Sequence, residues 1–210
     1  MELGLRDKVA LVCGGSRGIG FAAAEDLVRE GARVVICARE AGSLARAAEA
    51  LRAVGGVAAT IAADVSTAAG IDVVVRTMQE QFDGRVDILI TNTGGPTPGP
   101  ATQHSWAEWD QATALLLRSA VELCRAFVPG MRARKWGRVI GITSMAVKRP
   151  ITNLALSNTL MQLAVPDALR GPLKAHLAEL KQAYKARSWA GRVGFGRRPA
   201  VVVIDLAAFW

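Results

Sequence analysis

The run Cys13-Gly14-Gly15-Ser16-Arg17-Gly18-Ile19-Gly20 holds the densest chemical signal in this 210-residue sequence. Glycines let a chain turn tightly and bring its backbone close to a pyrophosphate. An apolar run, Val9–Cys13, precedes them and a periodic, helix-like stretch follows. A helix starting there presents free N–H groups and the positive end of its dipole to an anion. A glycine loop alone is an ordinary turn. Between a strand and a helix it reads as a dinucleotide-binding loop, with Gly14, Ser16, Arg17, Gly18, Ile19 and Gly20 as contacts.

The second apolar run ends Ile36-Cys37-Ala38-Arg39. A site for NAD usually places an acid at this strand end to accept from the ribose 2′-hydroxyl. Here Arg39 stands in its place, with Arg17 in the loop before it. A guanidinium fork suits a 2′-phosphate, so the expected cofactor is NADP(H) rather than NAD(H).

Other reactive residue types form no comparable pattern. His104 and His176 have no Cys or acid at metal-ligand spacing, so no metal site is expected and both read as surface residues. Cys13, Cys37 and Cys124 are odd in number and widely spread, which is no disulfide framework; Cys13 and Cys37 read as small buried residues at strand ends. Trp106 and Trp109 read as packing residues at a helix start. Arg132, Arg134, Lys135 and Arg138 read as a solvated helix end, where cations are stabilising.

The elements that must position the loop follow from periodicity. Strands are expected at Val9–Cys13, Arg33–Ala38, Val57–Ala62, Ile88–Asn92 and Val139–Thr143, each too apolar to alternate cleanly, as in a parallel sheet buried on both faces. Helices are expected near 18–30, 42–54, 67–82 and 106–128, the first with an apolar stripe Ile19, Ala22, Ala23, Leu27 and a stop at Gly31. This alternation predicts an α/β fold: a doubly wound parallel sheet of Rossmann type, strand order 3-2-1-4-5, with helices on both faces. With 51% hydrophobic residues a core is affordable, and disorder is excluded. No apolar run reaches the roughly 18 residues that span a bilayer, and the start MELGLRDKVALV does not resemble a signal peptide, so a cytoplasmic location without membrane contact is expected. The net charge of +8 divides into +3 for residues 1–160 and +5 for residues 161–210. The basic tail lacks interleaved aromatics or a recognition motif, so no nucleic-acid partner is expected.

Gly14-x-x-x-Gly18-x-Gly20, Asp64-Val65 after the third strand, Asn92-Thr93-Gly94 after the fourth, Pro129-x-Met131 and Gly137-Arg138-Val139 together resemble the short-chain dehydrogenase/reductase family over about residues 5–163, in particular its 3-oxoacyl-[acyl-carrier-protein] reductase-like members. The resemblance implies that Asp64 and Val65 hold the adenine, and that Asn92 and Gly94 line the cofactor and steady the central strand. It further implies hydride transfer to or from a small carbonyl or alcohol substrate, and a possible homo-oligomer formed through the fourth helix, carrying Leu115, Leu116, Leu117, Val121 and Phe127, and the fifth.

Catalysis in that family uses Ser, Tyr, Lys and Asn. Ser144 matches the Ser. Leu156, Ser157 and Asn158 occupy the region of the Tyr, Met161 falls one turn beyond Ser157, and Leu116 stands at the Asn position. A serine hydroxyl is far less acidic than a phenol, so Ser157 is no simple replacement. Tyr184, the one tyrosine, with Ser188 four residues on, does not restore the motif, and Lys148 reads as a solvated loop residue. Two readings stay open: an NADP(H)-linked oxidoreductase with a degenerate tetrad, or a nucleotide-binding or interaction protein without catalysis.

Beyond about Ala164 the resemblance ends, which divides the chain into a nucleotide-binding domain, 1–163, and a tail, 164–210, and implies a sheet truncated relative to the family. The tail offers a helical stretch, 172–187, and an apolar run, Ala200–Ile204, that could dock in the place of a sixth strand. Residues Gly194–Leu206 resemble the opening of an isochorismatase-like cysteine hydrolase, in which Asp205 would match the Asp of an Asp-Lys-Cys triad. The Lys and Cys have no counterpart before Trp210, so a fused or truncated gene product is a third reading.

Overall fold

The computed structural model describes residues 3–55, 58–99, 101–144 and 199–205. Five parallel strands form the sheet: β1 (Val9–Cys13), β2 (Arg33–Ala38), β3 (Ala58–Ala62), β4 (Ile88–Thr91) and β5 (Arg138–Ser144). Their order is 3-2-1-4-5, as the sequence implies, and a sixth strand, β6 (Pro199–Asp205), extends the sheet beyond β5. The apolar run of the tail thus takes the sixth place, but antiparallel, with Ser144 opposite Pro199 and Arg138 opposite Asp205.

Strand residues alternate between two cores because successive side chains point to opposite faces. Val9, Leu11 and Cys13 join Val74, Met78, Leu123, Phe127 and Met131 on one face. Ala10 and Val12 join Ala24, Val28, Leu44 and Leu51 on the other. Helices α1 (Gly18–Arg29) and α2 (Ala41–Ala53) therefore cover one face. The opposite face is covered by α3 (Ala68–Phe82) and by the end of a long helical run. That run comprises α4 (Trp106–Thr113), a π-helical stretch Ala114–Arg118, and α5 (Ser119–Ala133).

Two helices depart from their sequence patterns. The buried stripe of α1 is Gly20, Ala24 and Val28, one position on from the expected stripe. Small residues win there because the helix start lies tight against the glycine loop and Asn92, just beyond β4. The last helix runs through Pro129 to Ala133, not to 128, since Phe127 and Met131 are both buried on its sheet-facing side. A helix-interior proline costs about 3 kcal/mol, comparable to what two such buried side chains contribute.

The amino end of the sheet is tied by Asp87, which is 1% exposed. Its carboxylate accepts from Val9 N (3.0 Å) and Arg85 Nε (2.8 Å), and faces Arg134 Nε at 3.4 Å. Arg134 also donates to the Val86 carbonyl (2.8 Å), so it bridges to the strand rather than standing as a solvated end residue. Lys8 and Arg138 sit over the Trp136 ring, 4.1 and 5.0 Å from its centre. Functional residues must then gather at the opposite, carboxyl end. Among the described residues no helix is long and apolar enough to cross a membrane.

Candidate functional site: a nucleotide crevice at the carboxyl end of the sheet

In strand order 3-2-1-4-5 the chain leaves β1 toward β2 and re-enters the sheet on the other side at β4. The loops after β1 and β4 therefore diverge and open a crevice at the carboxyl ends of these strands. Gly14 leaves β1 with φ +60°, and a Cβ there would lie 2.6 Å from the Asn92 carbonyl oxygen and 2.7 Å from Asn92 Nδ2. Asn92 Nδ2 donates to the Gly14 carbonyl (3.4 Å), fastening the two loops together. Gly20 closes the same contact from α1: a side chain there would strike the Gly14 carbonyl. Gly15 N donates to the Cys37 carbonyl (3.2 Å), which ties the loop to β2.

The start of α1 is prepared for an anion. Arg17 is its N-cap residue, in extended conformation, and supplies no side-chain cap; the first turn carries no acid. The N–H groups that open this helix thus have neither a capping oxygen nor a neighbouring carboxylate. Ser16 and Ile19 are half-buried, and Arg17 and Gly18 are exposed along the loop. A cradle shaped by missing side chains and an uncapped helix fits a dinucleotide pyrophosphate.

The second wall comes from β2 and β3. The ladder continues past the strands through Ala63 N to the Ala38 carbonyl (3.0 Å), which sets Arg39 beside Asp64. Asp64 accepts from Ser66 N (3.0 Å) and Ser66 Oγ (2.7 Å). Partial burial pushes its carboxyl up, but the Ser66 bonds and the Arg39 charge outweigh this and hold it below the usual carboxylate range. It stays an acceptor at neutral pH. Val65 is buried beside it at 8% exposure, Arg39 is exposed, and Gly94 is exposed after β4 with open space around it. Ser144 is the last residue of β5, at this same end of the sheet. Ser157, Lys148, Met161, Tyr184 and Ser188 lie outside the described residues, as does the division of the chain at 163.

Cys13 and Cys37 face one another across β1 and β2 and both are buried. Burial pushes the Cys37 thiol up to about 12 despite its contact with the Ala63 carbonyl, and raises Cys13 well above its ordinary value. Both are protonated and inert, as small core residues should be.

The rim beyond β4 differs from the sequence reading. Ser105 and Glu108 form a reciprocal capping box at the start of α4, for which the pattern Ser-x-x-Glu was the available signal. His104 is no free surface histidine: its Nδ1 lies 3.6 Å from Glu108 Oε1, and its ring is packed so near Gly99 that a Cβ there would come within 3.0 Å. Trp106, expected to pack, is 83% exposed, because the capping box turns the first helical residue outward. The π-helical stretch spans Leu116, and Ser119 Oγ bonds the Leu115 carbonyl at 2.5 Å. Such bulges frequently accompany functional sites, and no periodicity announces one.

Comparison with known proteins agrees with this geometry. The family model for short chain dehydrogenases matches residues 8–156. A ketoacyl reductase of Nostoc is 35% identical over 147 residues, covering 70% of this chain and 51% of that protein. A rhamnolipid-biosynthesis 3-oxoacyl-[acyl-carrier-protein] reductase of Pseudomonas aeruginosa is 36% identical over 146 residues, covering 68% and 56%. The chain thus spans about half the length of the curated relatives it matches. Among solved structures, L-sorbose reductase of Gluconobacter frateurii, complexed with NADPH and L-sorbose, superposes with a TM-score of 0.73 at 36% identity, covering 78% of this chain and 64% of that one. A metagenomic short-chain oxidoreductase in complex with NADP gives 0.70 at 36% identity, covering 85% and 78%. A 7α-hydroxysteroid dehydrogenase complexed with NADH also gives 0.70, at 26% identity, covering 76% and 62%. Fold, crevice and relatives agree: the chain belongs to the short-chain dehydrogenase family.

Proposed function

We propose that this chain is an NADP(H)-preferring oxidoreductase of small carbonyl or alcohol substrates. The observation that carries the reading is Arg39 standing just beyond β2, beside Asp64, where an NAD site would place an acid. The uncapped start of α1 would take the pyrophosphate, Asp64 and Val65 the adenine, and Asn92 and Gly94 the nicotinamide side. When bound, the nicotinamide supplies or accepts the hydride. Ser144 would hold the substrate oxygen by hydrogen bonding, and Asn92 would keep the glycine loop in place while it does so. NADP-bound and NADPH-bound structural relatives support the cofactor; the NADH-bound relative marks the preference as the point to measure.

The second reading, nucleotide binding without catalysis, is favoured by one specific observation. Leu116, Ser157 and Met161 stand where the family resemblance calls for Asn, Tyr and Lys. Assaying the full chain with NADPH over a panel of ketones and aldehydes separates the two. Reduction lost in Ser144→Ala supports the enzyme; tight NADPH binding with no turnover supports the second reading. The remaining elements of the proposal are a cytoplasmic location, a tail distinct from the domain 1–163, and self-association through the helical run that contains Leu115, Leu116 and Leu117, which are all only half-buried.

A further inference from the structure

The first turn of α2 carries a charged arrangement that the glycine loop and Arg39 do not explain. The helix begins at Ala41, directly after Arg39 and Glu40, and Glu40 is its N-cap residue. Glu40 makes no side-chain cap; its backbone carbonyl accepts from Ser43 Oγ (3.0 Å) and Leu44 N (3.1 Å). Its carboxylate reaches over the helix start instead. A Cβ at Gly42 would lie 3.9 Å from Glu40 Oε1 and 3.9 Å from Arg46 Nη1. Glu40 Oε1 and Arg46 Nη1 thus both border the space over Gly42, the one residue of this turn without a side chain, and do not form an ion pair with each other.

Arg46 stands four residues after Gly42, on the same face of the helix. Helical side chains lean toward the N-terminus, and this one is folded back a full turn onto the helix start. A cation gains nothing there by itself, since the N-terminus carries partial positive charge. Among the described residues Arg46 makes no ion pair, although Glu40 shares its space. Arg39 precedes the same turn, and its charge is felt by Asp64 on the other side. Arg39 thus precedes the beginning of α2, and the Arg46 guanidinium folds back over its first turn at Gly42.

We propose that Arg46 is a second ligand for the 2′-phosphate of NADP(H), acting with Arg39, and that Glu40 is its counter-charge when no phosphate is present. This rests on the NADP(H) reading of Arg39. A phosphate entering between the two arginines accepts charge-assisted bonds from both forks, and it leaves Glu40 as the group it must repel. The sequence gives no hint of this, because Arg46 lies seven residues beyond Arg39 and only the open space at Gly42 brings it back.

The test measures NADPH, NADH, 2′,5′-ADP and AMP binding to the full chain by fluorescence or calorimetric titration, for wild type, Arg46→Ala, Arg46→Lys and Arg39→Asp. Arg46→Ala should weaken NADPH and 2′,5′-ADP by about 10-fold or more and leave NADH and AMP unchanged. Arg46→Lys should fall between, keeping charge and losing the fork. Glu40→Gln should tighten NADPH. If Arg46→Ala leaves NADPH unchanged while Arg39→Asp weakens it, the role of Arg46 is wrong and the NADP(H) reading stands. An equal loss for NADPH and NADH also overturns the role of Arg46. If Arg39→Asp is silent, or wild type binds neither nucleotide, the underlying reading fails and takes Arg46 with it. Arg46 is exposed on a helix surface, so thermal melts of its variants should match wild type.

Discussion

At the scale of single residues, Gly14 combines two demands that no other residue meets: a positive φ and close approach to Asn92. Gly14→Ala should cost about 1–3 kcal/mol in backbone strain, lowering Tm by several degrees, and should abolish nucleotide binding. Unchanged binding in that variant would mean that the loop does not hold the pyrophosphate. Asp64 sets a pH dependence. Its folded pKa lies below the ordinary value, so its contribution to stability is present above about pH 4 and is lost as pH falls through the folded value. Asp64→Asn should therefore be less stable than wild type above about pH 5, and the two should converge as acid titration removes the contribution from wild type. Cys37 works in the opposite direction. Its raised pKa favours the folded state below the ordinary thiol value, and that advantage fades as pH climbs from about 9 toward 12. Thiol reagents at neutral pH should accordingly leave Cys13 and Cys37 unmodified until the chain unfolds. The glycine loop and Arg39 were legible in the sequence because residue type and position beside a strand suffice to read them. His104 and Trp106 were not, since their exposure depends on Gly99 and on a capping box that only the assembled helix start displays.

At the scale of elements, hydrophobic patterning located five strands and their order, with ends within a residue or so. It placed the stripe of α1 one position early, because Gly20 and Ala24 are buried for their smallness and not for their hydropathy. It placed the end of the last helix near 128, whereas the helix continues through Pro129 to Ala133, where the burial of Met131 offsets the local cost of the proline. The direction of β6 was unreadable for a simple reason: Ala200–Ile204 is as apolar in one direction as in the other. An antiparallel edge strand on a parallel sheet is a common arrangement. The Ser105 capping box is the element-scale feature most easily tested. Ser105→Ala should destabilise the chain by about 1 kcal/mol, a fall in Tm of about 2–4 °C, and should loosen the loop that ends at His104. A melt identical to wild type would show that α4 does not depend on its cap.

At the scale of the whole molecule, the sheet separates two tasks. The amino end is closed by Asp87 and its arginines, and the carboxyl end holds the crevice between the loops after β1 and β4. β1 and β4 are paired on both sides and buried on both faces, so their amides should exchange slowest with solvent, with the edge strands β3 and β6 opening first. Sequence reading stops at catalysis, because the family resemblance leads to Leu116, Ser157 and Met161 where it calls for Asn, Tyr and Lys, and Ser157 and Met161 lie outside the described residues. The proposed function rests on NADP(H) binding in the carboxyl-end crevice through Arg39. Parallel titrations of the full chain and of Arg39→Asp with NADPH and NADH test it most directly. Wild type should bind NADPH more tightly than NADH, and the loss in Arg39→Asp should fall on NADPH alone. Equal affinity for both nucleotides, or an equal loss of both in the variant, would contradict it.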